Sequence, residues 1–328
     1  MDLSVVVPTS NRAASLDALL HDLRAQRGDA RFEVIVVDNG SADDTAQVAR
    51  RHAAGDRRVR YIVEPRRGAS CARNAGVAVA RAPILAFIDD DVRPRADWVA
   101  SILAAFARYP DVDCIGGRVE PRWPCPPPPW LTRAHWPPLA VQIDRGGSRY
   151  IDRGNASACL ITANFACRAE VFREIGGFAP DFLRDEDREF NLRMWRAGKR
   201  GLYVDSVIAF ADVQRERLEK RYHRRWYCVT GASHARLRFP DVIDHAGRLD
   251  DAGATRGRRW MGVPYFLYRE LLQTAVRWIT RLAVGAWSDA FLAECRLRYL
   301  ASNVAARWRE RLSPAPAYDA RLTASRSS

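Results

Sequence analysis

The sequence predicts an α/β protein in which helices flank a mostly parallel central sheet, followed by a C-terminal helical extension. Three features support this fold class. Short β-branched runs alternate with helical periodicity along residues 1–115. Two of these runs, Val5–Val7 and Val34–Val37, are apolar without interruption, as expected of strands covered on both faces. Two long amphipathic segments, 263–284 and 288–311, predict helices near the C-terminus.

The β-branched runs predict five strands, which are Leu3–Val7, Phe32–Val37, Val59–Val63, Ile84–Ile88 and Val112–Ile115. The helices between them are expected near 13–26, 42–53, 69–81 and 95–108. The second helix has a start resembling a capping box, Ser41–Asp44, which places Asn39 and Gly40 in the preceding turn. In such sheets ligands bind beyond the carboxyl ends of the strands, so the candidate ligand loops are 8–12, 38–41 and 89–91.

A segment rich in proline and tryptophan, 120–138, interrupts this pattern. Its proline density predicts neither a regular helix nor a central strand, so we expect a semi-rigid loop that displays aromatic side chains. A domain linker and a substrate-facing flap are both compatible with this composition. We favour the flap because the segment carries three tryptophans between two patterned regions. Order is expected to return over 155–237, with helices near 169–175 and 186–197.

The C-terminal part combines positive charge with aromatic residues. Residues 256–311 contain eleven arginines against four acidic residues, together with four tryptophans. This composition is typical of helices that lie in a membrane interface, and the alternatives are packing on the catalytic domain or in a homodimer. Residues 241–259 are expected to be a connector, and residues 313–328 a frayed tail. No stretch of 18 residues lacks a charge and no basic segment precedes the first apolar run, so we expect neither a transmembrane helix nor a signal peptide.

Composition narrows the class of protein further. The 328 residues, 48% of them hydrophobic, can form one large or two modest domains. The net charge of +13 comes almost entirely from arginine, and either an anionic partner or a coding bias explains it. The arginines are dispersed without a recognition motif, so we expect no nucleic-acid partner. Seven cysteines without a CxxC pair argue against a zinc ribbon and a disulfide framework, and a reducing, cytoplasmic compartment is expected.

Three consecutive carboxylates, Asp89, Asp90 and Asp91, follow a predicted buried strand. Adjacent carboxylates repel one another unless a cation neutralises them. With no cysteine or histidine nearby, the oxygen ligands favour Mg²⁺ or Mn²⁺. An exposed acidic turn is the alternative explanation of the same residues.

A second acidic group, Asp185 to Asp187, leads into the helix near 186–197. Acidic residues at a helix N-terminus are favoured by the helix dipole, which explains part of the pattern. The functional alternative is a carboxylate base that deprotonates a hydroxyl group.

The order of these motifs resembles that of family 2 glycosyltransferases. The segments that resemble the nucleotide-binding half of the family are Val5–Arg12, Val36–Ser41, Arg67–Gly76 and Phe87–Asp91. The segments that resemble the second half, together with the Pro/Trp-rich flap, are Thr162–Arg168, Gly176–Phe178, Asp185–Phe190 and Arg217–Trp226. The likeness covers about residues 3–235.

The resemblance implies a Rossmann-like GT-A fold and inverting sugar transfer from a UDP-, GDP- or dTDP-linked donor. It divides the chain into a nucleotide-sugar-binding half (1–118), an acceptor-binding and catalytic half (119–240) and an amphipathic helical extension (241–328). The acceptor would be a saccharide, a lipid-linked molecule or a small molecule with a hydroxyl group. We expect a role in cell-envelope polysaccharide or glycolipid synthesis, with the enzyme peripheral on the inner face of the cell membrane.

The resemblance also assigns roles to single residues. Asp187 matches the family's base, with Glu186 beside it. Asp89 and Asp91 match the Asp-x-Asp that holds a divalent metal, Mn²⁺ or Mg²⁺, and Asp212 stands where many members have a third, histidine ligand. Acceptor contacts are expected from Trp130, Asn164 and Trp195. The residues expected to bind the donor are Pro8, Thr9, Asn11, Arg12, Asp38, Arg67, Asn74, Asp89, Asp90, Arg221 and Arg225.

Three other classes compete with this interpretation. A dinucleotide-dependent dehydrogenase would have a Gly-x-Gly-x-x-Gly loop after its first strand, where this chain has Pro8–Arg12. A sugar nucleotidyltransferase would usually have a glycine-rich loop with a basic residue there, which is also missing. A non-enzymatic basic binding protein could use the positive charge, and lacks a supporting motif.

Overall fold

The computed structural model describes residues 1–143, 146–182, 184–252 and 257–312. The chain forms two compact units. The first contains residues 1–122 and 140–212, and the second contains 123–139 and the described residues after 212. The predicted tail, 313–328, and part of the predicted connector, 253–256, lie outside the described residues. The expected three-part division stays a prediction, because compactness does not report which part binds which ligand.

The first unit is built on a nine-stranded mixed sheet with the order β3-β2-β1-β4-β8-β6-β9-β5, in which β7 also pairs with β9. The strands in the order of the chain are β1 (Leu3–Thr9), β2 (Phe32–Asp38), β3 (Val59–Val63), β4 (Ile84–Phe87), β5 (Val92–Pro94), β6 (Cys114–Arg122), β7 (Arg149–Ile151), β8 (Phe165–Arg168) and β9 (Gly201–Asp212). Strands β1 to β4 are parallel, and β8 is antiparallel to both β4 and β6.

Within the described residues of the first unit, the α-helices that flank this sheet are α1 (Ala13–Arg24), α2 (Thr45–Gly55), α3 (Ala69–Val79), α4 (Trp98–Arg108), α5 (Ala169–Ile175) and α6 (Glu186–Arg196). Strands β1 and β2 are buried almost throughout, as their uninterrupted apolar sequences predict. Gly76 lets α3 approach the sheet, because a Cβ atom there would lie 2.4 Å from Cγ1 of Val6. The predicted α/β fold class is therefore confirmed.

The second unit is mainly helical, and its elements are α7 (Lys220–Arg236), α8 (Phe239–Val242), β10 (Arg259–Trp260), β11 (Val263–Pro264), α9 (Tyr265–Ala283) and α10 (Trp287–Leu312). Its core includes Leu267 of α9 with Leu300 and Val304 of α10. Gly231 allows α7 and α10 to approach closely, since a Cβ atom there would lie 2.3 Å from the carbonyl oxygen of Tyr299. The two predicted C-terminal helices are thus confirmed.

Two local predictions are wrong. Helix α2 starts at Thr45 and Ser41 does not cap it, because the Ser41 hydroxyl instead accepts a hydrogen bond from the Asn11 N–H. Strand β6 continues to Arg122 although the proline-rich segment was expected to exclude a strand from residue 120. Pro121 is tolerated there because β8 pairs only with 114–116, which leaves β9 as the partner strand at this point.

All seven cysteines, which lie in the described part of the chain, are unpaired. Among the helices within the described ranges, none combines the length and the apolar character that crossing a membrane requires.

Candidate active site

The loops that follow β1 and β2 are joined at the carboxyl edge of the sheet. Thr9 lies opposite Asp38 in the parallel register. The Asn11 N–H donates to Oγ of Ser41 over 2.9 Å, and the Ala42 N–H donates to Oδ1 of Asn11 over 2.7 Å. Asn11 has a φ of 53°, a left-handed conformation that asparagine tolerates better than most residues. Two of the predicted ligand loops therefore form one surface, with Pro8 half-buried at its base.

Asp38 is almost completely buried at this edge. The Tyr61 hydroxyl donates to Oδ2 of Asp38 over 2.8 Å, and the Ser41 N–H donates to Oδ1 over 2.9 Å. These two bonds fix the orientation of the carboxylate.

Asn39 was expected only as a turn residue, yet it organises the next loop. Its amide nitrogen donates to the carbonyl oxygens of Glu64 and Arg66, and its Oδ1 accepts from the Gly68 N–H over 2.7 Å. Gly68 has a φ of 126°, which favours glycine, and α3 begins directly after it. The neighbouring Arg67, a predicted donor-binding residue, is exposed.

The three carboxylates after β4 have different environments. Asp90 is buried and accepts a hydrogen bond from the Thr9 hydroxyl over 2.8 Å, whereas Asp89 and Asp91 are half-buried. Arg12 binds Asp91, with 3.0 Å between Nη1 and Oδ2. Burial, with a smaller contribution from the negative charge of Asp91, raises the pKa of Asp90 to about 7 despite the opposing Arg12. The three neighbouring carboxylates therefore differ in burial and in their partners.

Arg73 of α3 connects this cluster to the second acidic group. Its guanidinium is 2.9 Å from Oδ1 of Asp89 and 2.7 Å from Oε1 of Glu186. Arg73 is only 3% exposed, and the two carboxylates hold its pKa above the ordinary value in spite of burial. The sequence did not predict a role for Arg73, although it lies within the segment Arg67–Gly76 that resembles the family. The available signal was a basic side chain one turn inside a helix that begins directly after a glycine.

Glu186 and Asp187, the acidic pair at the start of α6, have different partners. Asp185 precedes the helix with a left-handed φ of 65°. Glu186 is neutralised by Arg73, whereas Oδ1 of Asp187 accepts the Arg188 N–H over 2.7 Å. Burial, followed by the charges of Glu186 and Asp185, raises the pKa of Asp187 to about 7. Asp187 can therefore gain and lose a proton near neutral pH.

Asp212, at the end of β9, lies beside Asp91. The Asp212 N–H donates to the carbonyl oxygen of Asp91 over 2.9 Å, and its side chain pairs with Arg122 at 3.3 Å. The backbone hydrogen bond brings the third expected metal ligand to the acidic cluster. Among the described residues, the three-residue group whose ligand atoms all lie within 4.8 Å is a different one, made of Asp17, His21 and His52.

Several predicted site residues have structural contacts instead. The Asn74 amide binds both the N–H and the carbonyl oxygen of Phe178. Asn164 is 1% exposed, and its amide binds Trp98 and the carbonyl oxygens of Arg118 and Val207. Trp195 is completely buried. Acceptor binding by Asn164 and Trp195 does not fit this burial, because neither side chain has surface to offer.

The remaining predicted residues lie in the second unit. Trp130 packs edge-to-face against His223 of α7 and Phe291 of α10, with ring centroids 5.1 and 4.9 Å apart. Arg221 and Arg225 are exposed on α7. Trp130 thus has a packing role within its own unit, and the two arginines have side chains that can reach an anionic ligand.

The family model described as "Glycosyl transferase family 2" matches residues 4–176. Pre-mycofactocin glycosyltransferase of Mycobacterium tuberculosis is 29% identical over 246 residues, which are 73% of this chain and 48% of that protein. Validoxylamine A glucosyltransferase of Streptomyces hygroscopicus is 34% identical over 226 residues, covering 60% of this chain and 52% of that protein. The chain therefore spans about half the length of these curated relatives.

Among solved structures, a mannosyltransferase from Pyrobaculum calidifontis in complex with GDP-Man and Mn²⁺ is similar, with a TM-score of 0.61 and 20% sequence identity. The similarity covers 96% of this chain and 88% of the mannosyltransferase chain. At this identity the likeness concerns the fold.

Proposed function

The chain belongs to glycosyl transferase family 2, and we propose that it is an inverting enzyme that moves a sugar from a nucleotide diphosphate sugar to a hydroxyl group. The observation that carries the proposal is the contact of buried Arg73 with both Asp89 and Glu186. One side chain thereby ties the acidic cluster after β4 to the N-terminus of α6. A diphosphate site and a base are thus held within reach of a single substrate.

The nucleotide is assigned to the joined loops after β1 and β2. Asp38, oriented by Tyr61 and Ser41, is suited to accept hydrogen bonds from ribose hydroxyl groups. Pro8, Thr9, Asn11 and Arg67 complete the proposed donor surface. Arg12 is paired with Asp91 here, and we propose that its guanidinium also helps to neutralise the diphosphate. Donor binding by Arg221 and Arg225, which are exposed on α7, stays a prediction.

Asp187 is the proposed base. It would take the proton of the acceptor hydroxyl at its carboxylate oxygen as the hydroxyl attacks the anomeric carbon. Glu186 cannot serve equally well, because its carboxylate is neutralised by Arg73. A single displacement from the face opposite the leaving diphosphate inverts the anomeric centre, and the protein contributes by holding both reactants in line.

A divalent cation suits the chemistry of the residues present, although the ligand atoms of Asp89, Asp91 and Asp212 do not all lie within 4.8 Å of one another. Asp91 and Asp212 are joined by a backbone hydrogen bond, and their oxygens and those of Asp89 are hard ligands that suit Mn²⁺ or Mg²⁺. When bound there, the cation would neutralise charge that develops on the diphosphate. The similar mannosyltransferase, solved with GDP-Man and Mn²⁺, supports both a nucleotide-sugar donor and a metal.

An anionic membrane surface is the proposed location. Helix α9 carries a second apolar face besides the one that packs in the core. We call it the α9 stripe, and its residues are Tyr265, Leu272, Val276 and Ile279, exposed by 54, 66, 54 and 59%. Their spacing of seven, four and three residues places them on one side of the helix.

The positive charge of α9 favours anionic lipid over a second copy of the chain as the surface that covers the α9 stripe. Arg269 and Arg277 are exposed on the same helix, whereas Arg281 is paired with Asp289 at 3.6 Å. A second copy would bring the same arginines together, whereas anionic lipid attracts each by about 1 kcal/mol. We therefore also propose a lipid-linked or other membrane-bound acceptor at the inner face of the cell membrane.

Flotation with phosphatidylglycerol vesicles at low salt tests the location. We expect the protein to float, and to stay at the bottom in high salt or with neutral phosphatidylcholine vesicles. Leu272→Ser with Ile279→Ser should abolish flotation, whereas Val63→Ser, which alters an equally exposed residue of the first unit, should not. Failure to float, or a concentration-dependent dimer that the double variant dissociates, would contradict membrane binding.

The activity itself is tested by incubating the protein with UDP-, GDP- and dTDP-linked sugars and Mn²⁺ while measuring release of the nucleoside diphosphate. Slow hydrolysis of one donor by the native chain, and loss of it in Asp91→Asn, is the expected result. No release from any donor, with or without candidate acceptors, would contradict the proposal.

A further inference from the structure

A mixed cluster of one carboxylate and two imidazoles joins α1 to α2 in the first unit. It uses none of the residues assigned above to the donor or the base. Asp17 and His21 lie four residues apart on α1 and therefore share a face of that helix, and His52 faces them from the last turn of α2. The first unit contains two of the chain's six histidines, and these two are neighbours.

The ligand atoms converge on one carboxylate oxygen. Nε2 of His52 lies 2.6 Å and Nε2 of His21 lies 3.8 Å from Oδ1 of Asp17. The two imidazole centroids are 5.0 Å apart, and the three ligand atoms all lie within 4.8 Å of one another. In a tetrahedral site with bonds of about 2.0–2.1 Å, ligand atoms are separated by about 3.4 Å. The His52–Asp17 pair would therefore open by about 0.8 Å, and the exposed His21 imidazole would move toward both ligand atoms.

The three side chains differ in exposure, and this difference would allow a metal ion to enter. His52 is 8% exposed and fixed, Asp17 is 35% exposed, and His21 is 65% exposed. His21 can therefore rotate to close the site, and solvent can supply the fourth ligand. The hydrogen bond with His52, together with Arg51, lowers the pKa of Asp17, so that its carboxylate is ionised as a ligand must be.

Arg51 is the competing partner. Its Nη2 lies 2.7 Å from the same Oδ1 of Asp17, so a guanidinium neutralises the carboxylate in the present arrangement. Arg51 is 62% exposed and can leave without a large cost of burial. A bound cation would take over its electrostatic role at the carboxylate.

We propose that Asp17, His21 and His52 form a binding site for a late first-row divalent cation, best matched by Zn²⁺, that fastens α1 to α2. Two imidazoles and one carboxylate suit zinc, copper and nickel better than magnesium or manganese. Helices α1 and α2 begin directly after the loops 10–12 and 39–44, which follow β1 and β2. The ion would therefore stiffen the donor side of the first unit.

Calorimetric titration of the full chain with Zn²⁺ alone tests the site. His21→Ala is the decisive variant, because an exposed side chain can be removed without disturbing the core. We expect it to weaken zinc binding at least tenfold, and expect the exposed His245→Ala, in the second unit, to leave it unchanged. Arg51→Ala should bind zinc equally well or more tightly, since it removes the competing cation. Mg²⁺ should not compete at equal concentration.

Thermal unfolding supplies a second measurement. At a zinc concentration about 100 times the dissociation constant, the melting temperature of the native chain should rise by about 5 to 10 °C. The rise should disappear in His21→Ala and persist in Asp91→Asn, which separates this site from the proposed donor metal. Equal zinc titrations and equal melting shifts for the native chain and His21→Ala would overturn the proposal and leave the cluster as an ion-pair contact between two helices.

Discussion

Each unit of the chain contains a buried arginine that binds carboxylate. The two arginines differ in how far their carboxylate partners are exposed. Arg307 of the second unit is sealed inside it. Its guanidinium binds both oxygens of Asp241, at 2.7 and 3.0 Å, its Nε donates to Asn303, and neither charged side chain is more than 1% exposed. Arg73 of the first unit instead holds two carboxylates that reach the surface, Asp89 by 31% and Glu186 by 14%.

The difference indicates what each network does. The contacts of Arg307 join α8 to α10. Nη1 and Nη2 of Arg307 both donate to Asp241, as expected of a structural link between two helices. Arg73 leaves its buried Nε without a hydrogen-bond partner among the described residues. An unsatisfied buried donor is costly, and a catalytic or ligand-binding role is one explanation for such a group. We therefore propose that buried charge stabilises the fold of the second unit and positions the candidate site residues of the first.

The sharpest test of this contrast is Asp187→Asn. Removing a positioned base lowers turnover by about 10²–10⁴-fold, and we expect that loss with little change in melting temperature. Donor binding should remain, because the amide keeps the shape of the carboxylate. Turnover is measured as transfer, or as slow donor hydrolysis, per mole of folded protein.

Glu170→Gln is the matched control, since Glu170 is an acidic residue in the first turn of α5 and is exposed. It should retain native turnover. If Glu186→Gln is inactive while Asp187→Asn turns over normally, the base lies one residue earlier and the division of tasks proposed for the pair is wrong.

Arg307→Met tests the other side of the comparison. Removing one partner of a buried ion pair costs about 3–5 kcal/mol. Arg259, whose Nη1 lies 2.9 Å from Oδ2 of Asp241, remains as a second partner, so we expect a cost at the lower end of that range. We expect a markedly lower melting temperature by circular dichroism and unchanged turnover per folded molecule. Arg73→Lys should behave in the opposite way, since lysine keeps the charge but cannot hold Asp89 and Glu186 together. Equal losses of stability and turnover in both variants would remove the contrast.

Much of the first unit could be predicted from the sequence because its signals are local. Runs such as Val34–Val37 specify buried strands, and the turn after each strand marks the ligand edge. The start of α2 could not be predicted, because Ser41 is used by Asn11, which is 30 residues away. The Arg73 contacts are harder still, since Glu186 lies 113 residues further along the chain.

Trp195 shows why a motif alone misassigns side chains. It lies on α6, the helix that carries Asp187, but on the face that packs under the sheet next to Gly201, and it is completely buried. An aromatic residue within a helix is more often part of a core than of a binding surface. Position relative to the helical period therefore predicts its role better than distance in sequence from the base.

The raised pKa of Asp187 predicts a pH dependence of smaller size. A base must be ionised, and a carboxyl group with a pKa of about 7 loses its ionised form as the pH falls below that value. The rate at saturating metal should therefore fall up to tenfold per pH unit below 7 and level off above it. The residual rate of Asp187→Asn should lack this limb. A native profile that is flat from pH 5 to 8 would show that another group accepts the proton.

Asp212→Ala is expected to have the smallest effect. Its side chain is 46% exposed and paired with Arg122, so the attraction between this carboxylate and a cation is screened by water. Two charges about 4 Å apart in water attract by about 1 kcal/mol, which corresponds to roughly a fivefold higher metal concentration for half-maximal activity. Asp212→His should restore the native value with a different preference among metals, because imidazole is a softer ligand than carboxylate. An identical metal titration for Asp212→Ala and the native chain would mean that Asp212 serves only to pair with Arg122, and that Asp89 and Asp91 are sufficient for the metal.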